Sequence, residues 1–176
     1  MFEYAGEGER EQSDIELKRL TIDWGSLKTG WGMLAQGNSD FVWAAVAGTS
    51  IQRPGEDYKP AFQVDVWLAA ADGAPSDCWV HWRSIGQMNR NAIQGLQRDV
   101  LKGAKDNAGK VVVASVKEVI KSGKNNNHMP VLAVEAWVDA PSKPEEIRGW
   151  LDWKSNLKRW RCAAPAGGDA GAGEIF

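Results

Sequence analysis

Phe62-Gln-Val-Asp-Val-Trp-Leu68 and Cys78-Trp-Val-His-Trp-Arg-Ser84 decide how this chain is read. The turn-rich Ala71-Asp-Gly-Ala-Pro-Ser-Asp77 joins them. Both segments alternate with the period of a β-strand. Phe62, Val64, Val66 and Leu68 fall on one face of the first, and Gln63, Asp65 and Trp67 on the other. In the second, Cys78, Val80 and Trp82 oppose Trp79, His81 and Arg83. The apolar faces are expected to line a core, as half-buried antiparallel strands do. The opposite faces bring Trp67, Trp79, His81 and Arg83 together, rings beside a cation, suited to stacking planar groups such as nucleobases. The competing expectation is that these rings lie under a neighbouring loop or a subunit interface.

Outward from this pair, the upstream stretch Trp24-Gly-Ser-Leu-Lys-Thr-Gly-Trp-Gly-Met-Leu34 mixes rings, glycines and a lysine. It reads as a curved strand in which glycine permits bends and close approach of a ligand. Lys28 and Trp31 are its candidate ligand contacts. The glycines do not form a phosphate-cradling loop, because no Gly-Lys-Ser/Thr ending follows. Phe41–Ala47 reads as a short apolar strand or extended segment. Arg53, Tyr58 and Lys59 then form a base-aromatic-base cluster in the loop before Phe62, a candidate phosphate rim.

Downstream, Ile93, Leu96 and Val100 make a helical stripe within 86–105, with Ser84 as a candidate cap. Val111–Lys121 and Val131–Asp139 read as a hairpin around an Asn/Gly-rich turn. Leu132, Val134, Ala136 and Val138 share one expected face. Lys121, Lys124 and His128 stand near the tip. Glu145–Trp160 reads as a second helix or a short extra strand packed on the body.

The ten tryptophans are spread along the chain. That surplus suggests a stacking surface or a large interface. Six acids and one base occupy Met1–Leu17, and Asp169 and Glu174 are acidic residues near the other end. The body between is net basic although the chain carries −2 overall, a layout compatible with a polyanionic partner. Cys78 and Cys162 make no disulfide framework, and with two histidines far apart no metal-ligand spacing is legible. No motif calls for a cofactor, and no nucleophile-base-orienter set is readable, so an enzyme is the least favoured class. Without an apolar run long enough to span a bilayer, a cytoplasmic setting is expected.

The resulting expectation is a mainly β chain with one or two helices: an OB-fold-like five-stranded barrel with a helix between the third and fourth strands. Residues 1–14 read as a flexible acidic arm, 15–162 as the nucleic-acid-binding body, and 163–176 as a small-residue tail. With its Gly/Ala linker and the ending Asp169, Glu174, Ile175 and Phe176, the chain resembles the single-stranded-DNA-binding proteins of bacteria and their phages. That resemblance implies sequence-tolerant binding of single-stranded DNA, and a C-terminal tip that docks replication or repair proteins. Two other classes fit the tryptophans: a carbohydrate-binding β-module, and a virion or assembly protein with a Trp-rich interface.

Overall fold

The computed structural model describes residues 12–35, 38–122, 127–153 and 160–163. Among these the chain is mainly β with one helix. Its strands are β1 (Gln12–Ile15), β2 (Arg19–Ala35), β3 (Asn38–Trp43), β4 (Lys59–Leu68), β5 (Cys78–Ser84), β6 (Val111–Ser122), β7 (Asn127–Val138), β8 (Gly149–Trp153) and β9 (Trp160–Ala163). The helix α1 (Gln87–Ala104) lies between β5 and β6. Strands β2, β4, β5, β6 and β7, with α1 after the third, reproduce the five-strand layout expected of the body.

Strand β2 organises the sheet. It pairs antiparallel with β3, β4 and β6. Its register with β4 shifts between Asp23 and Lys28, which bends the strand as the glycine-rich sequence predicts. Ser26 spans this bulge. Its hydroxyl donates to the Asp23 carbonyl at 2.7 Å and accepts the Asp65 N–H at 2.8 Å. A side chain thus satisfies a backbone donor where the ladder is interrupted.

The sheet runs β1-β9-β8-β5-β4-β2-β6-β7, with β3 branching from β2. It is open: β7 pairs with β6, whereas β5 pairs on its far side with β8, in parallel. Beyond those five, the sheet is extended at β3, where the strand expected over 41–47 instead runs Asn38–Trp43, and at β8-β9-β1. Gln12–Asp14, the end of the expected arm, belong to β1, which pairs with β9. The stretch 145–160 resolves the helix-or-strand alternative at β8, a strand.

Phe62, Val64, Val66 and Leu68 are buried, as are Val80 and Trp82, so the alternation of the central pair orients the core as expected. Ile93, Leu96 and Val100 of α1 complete it. Ser84 does not cap the helix. The N-cap is Gly86, without a side-chain cap bond, and the Ser84 hydroxyl instead accepts the Gly86 N–H at 2.9 Å and the Asn89 amide at 3.0 Å.

The expected apolar face of β7 holds only in part. Leu132 is buried, but Ala136 and Val138 are exposed, and Trp137 packs against the core. The register with β6 shifts twice, so strict alternation is lost. Gly103 of α1 makes room for the Trp137 indole: a Cβ there would stand 2.8 Å from Nε1.

Candidate functional site

The polar face of the central pair is built by register. Gln63 lies opposite Arg83, Asp65 opposite His81, and Trp67 opposite Trp79. At one end the Trp67 and Trp79 rings tilt together, 5.9 Å between centroids. Trp79 is buried, and its indole N–H donates to the Ser142 carbonyl at 3.0 Å. Lys143 reaches over the same ring, 5.1 Å from its centroid. The segment between β7 and β8 therefore covers Trp79, which corrects the expectation of an open stacking platform there. A large ring on a sheet face gains more from a dry lid than from water.

In the middle of the face, the His81 Nδ1–H donates to Asp65 Oδ1 at 2.7 Å. Lys143 Nζ donates to Asp65 Oδ2 at 2.5 Å and to Asp23 Oδ2 at 2.8 Å. Burial by itself would push the Asp65 carboxyl up. Hydrogen bonds from His81 and Lys143 outweigh it and hold Asp65 below the ordinary carboxylate value. Burial pulls the Lys143 ammonium down, but its bonds to Asp23 and Asp65 leave it above the usual lysine value.

At the other end stands Arg83. Its Nε donates to Gln63 Oε1 at 2.6 Å, and its guanidinium carbon lies 4.5 Å from the Phe41 centroid and 5.9 Å from that of Trp43. Phe41 and Trp43 themselves stack, 5.3 Å apart at 12°. Desolvation lowers the Arg83 pKa from its ordinary value, and the group stays a cation. Among the described residues no carboxylate pairs with it. A cleft of about 460 Å³ opens here between β3, β5 and β8, lined by Phe41, His81, Arg83, Arg148 and Trp150 among others. Gly32 explains the placement of Phe41, because a Cβ on Gly32 would stand 2.5 Å from that ring. The glycine here admits an aromatic side chain rather than a ligand.

The remaining expected contacts divide. Trp31 is half-buried, donates to the Ile51 carbonyl at 3.0 Å, and carries Arg53 at 5.7 Å from its centroid. Arg53 is occupied locally, through the Tyr58 carbonyl at 2.9 Å and the Glu56 carbonyl. The Tyr58 hydroxyl donates to Asp40 Oδ2, a bond that raises its pKa above the usual phenol value. Both brace the β3–β4 loop. Lys28, Lys59 and Lys121 are exposed on β2, β4 and β6, and none lines the Arg83 cleft. Lys124 and the tip residues Asp169, Glu174, Ile175 and Phe176 lie outside the described residues, and so does the side chain of His128.

Of the expected contacts, His81 and Arg83 enter the cleft, and Phe41, Arg148 and Trp150 join them without having been singled out. The Phe41-Val-Trp43 spacing was a usable signal, since residues two apart on a strand share a face. The parallel pairing that brings β8 to β5 left none. Among the described residues, no group of His, Cys, Asp and Glu could hold a metal, and no helix is long and apolar enough to cross a membrane. The chain matches no protein-family model, no curated protein and no solved structure.

Proposed function

We propose that this protein binds single-stranded DNA with little sequence preference, and that the strand passes through the Arg83 cleft. One observation carries the reading. Arg83 is held in place by Gln63 and the Phe41 ring, is not neutralised by any described carboxylate, and faces an open cleft that also holds Trp150 and Arg148, the latter paired with Glu146. An oriented guanidinium suits a phosphate, and rings beside it suit bases of any sequence. Each stacked base would contribute about 1–3 kcal/mol. The role follows as protection of single strands during replication or recombination, in a bacterial or phage-infected cytoplasm, with the Glu174-Ile175-Phe176 tip recruiting partner proteins.

Titration of oligo-dT at two salt concentrations, followed by tryptophan fluorescence, tests it. Quenching with an affinity that falls steeply as salt rises is the expected result. Silence at low salt, with duplex and RNA controls also silent, would remove the proposal. A second reading, an assembly protein, is favoured by the exposure of Leu34, Val42 and Val46, at 60%, 39% and 65%. A stable oligomer that binds no nucleic acid would favour it.

A further inference from the structure

A second cleft, of about 770 Å³, lies between α1, strand β2 and the β3–β4 loop, and shares no lining residue with the Arg83 cleft. Trp24 and Trp31 line it from β2. Its floor is one stripe of α1, where Arg90, Gln94 and Gln97 line it together. Residues three and four apart share a helix face, so these three side chains converge.

The loop wall is built rather than loose. Ala44 N–H donates to the Thr29 carbonyl at 2.9 Å, Gly48 N–H to the Thr29 hydroxyl at 2.7 Å, and Trp31 Nε1–H to the Ile51 carbonyl at 3.0 Å. Gly48 adopts φ +82°, a left-handed conformation that glycine accepts without strain.

Arg90 is the chemical signal. Its Nε is buried and has no hydrogen-bond partner, while one terminal nitrogen donates to Gln87 Oε1. Arg90 lines the cleft with no described carboxylate beside it, and a guanidinium without an anionic partner is satisfied most strongly by an anionic oxygen. No acidic side chain lines the cleft. The site therefore offers two indoles, two amides that can both donate and accept, and one cation with no carboxylate beside it.

We infer that this cleft binds a nucleotide, with the base against Trp24 or Trp31, its polar edge on Gln94 and Gln97, and its phosphate on Arg90. The same chemistry has two sources: a free nucleoside monophosphate, or the 5′-phosphorylated terminal nucleotide of a strand. Neither requires the Arg83 cleft to bind DNA.

The test is calorimetric titration of the full chain with deoxyadenosine 5′-monophosphate, deoxyadenosine, inorganic phosphate, and an oligo-dT with and without a 5′-phosphate. Arg90→Gln, Gln94→Ala and Arg83→Gln are compared with the parent chain. Gln94 is exposed on the helix, so its truncation keeps the test valid if Arg90→Gln fails to fold. A free-nucleotide site gives monophosphate binding that exceeds that of deoxyadenosine or phosphate, weakened about tenfold by Arg90→Gln and less by Gln94→Ala. A strand-end site gives a gain in affinity from the 5′-phosphate that Arg90→Gln abolishes and Arg83→Gln preserves. Two results overturn the inference. One is no binding of the monophosphate at millimolar concentration together with no effect of the 5′-phosphate. The other is nucleotide binding that Arg83→Gln removes while Arg90→Gln and Gln94→Ala leave it unchanged. Loss of unphosphorylated oligo-dT binding alone would count against the Arg83 reading and not against this one.

Discussion

The Arg83 guanidinium lies 4.5 Å from the centroid of the Phe41 ring, which joins the third strand of the chain to the fifth across the mouth of a cleft. Ring and cation hold each other, so a phosphate meets a guanidinium whose rotamer entropy is already spent. Arg83→Gln should therefore weaken oligo-dT binding and lower the slope of log affinity against log salt by about one. Phe41→Ala should weaken binding too, by releasing Arg83, with the salt slope nearly unchanged. Fluorescence titrations over a salt series check both. An unaltered slope in a folded Arg83→Gln protein would dismiss Arg83 as a phosphate contact.

Gly32→Ala should destabilise the chain by about 1–3 kcal/mol, the usual range for forcing extra volume into a packed site. Its Cβ would stand 2.5 Å from the Phe41 ring and 2.8 Å from Ile85. Binding should fall with it, because Phe41 must move. Gly95→Ala is the matched control: a Cβ there meets nothing within 4 Å, and the site is in α1. It should stabilise by about 0.5–1 kcal/mol. Urea unfolding midpoints separate the two.

Asp65 predicts an acid limb in the stability profile. Its carboxyl titrates lower in the folded chain than in the unfolded one, where the value is about 3.9. Well above that value both states are ionised and the stabilisation is complete. As pH falls the unfolded state takes up the proton first, and the stabilisation is lost as pH drops through the folded value. Asp65→Asn should flatten this limb while lowering stability at neutral pH. Lys143, raised by its acids, acts at the alkaline end: its contribution is full below the unfolded lysine value and fades as pH rises through the folded one. Denaturant melts over a pH series would show identical acid slopes in parent and variant if this account of Asp65 were wrong.

Trp79→Ala should cost stability first, by about 3–5 kcal/mol, the usual range for truncating a buried aromatic. Lys143→Ala should cost less, about 1–3 kcal/mol, because the ammonium keeps some solvent access although it leaves two carboxylates facing each other. It should also loosen the segment over Trp79. Acrylamide quenching of tryptophan fluorescence should rise in Lys143→Ala, and unchanged quenching would contradict the covering role.

Local spacing by itself determined most of the framework. Period-two alternation at 62–68 and 78–84 named the core faces, since burial of one sheet face imposes that pattern directly. The stripe Ile93, Leu96, Val100 placed the helix for the same reason. The bend in β2 was legible from its glycines, and Arg83 and His81 from their strand phase. What alternation leaves open is what covers the second face. Trp79 looks as free as Arg83 in sequence, yet Ser142 and Lys143, from a segment some sixty residues away, close over one and not the other. The parallel pairing of β5 with β8 placed Arg148 and Trp150 beside Arg83. Folding of β3 back onto β2 brought Phe41 under it. Such contacts depend on long loop closures that carry no periodic signal, so tertiary structure alone decided which rings became core, which became cleft, and that Arg90 lines a second cleft.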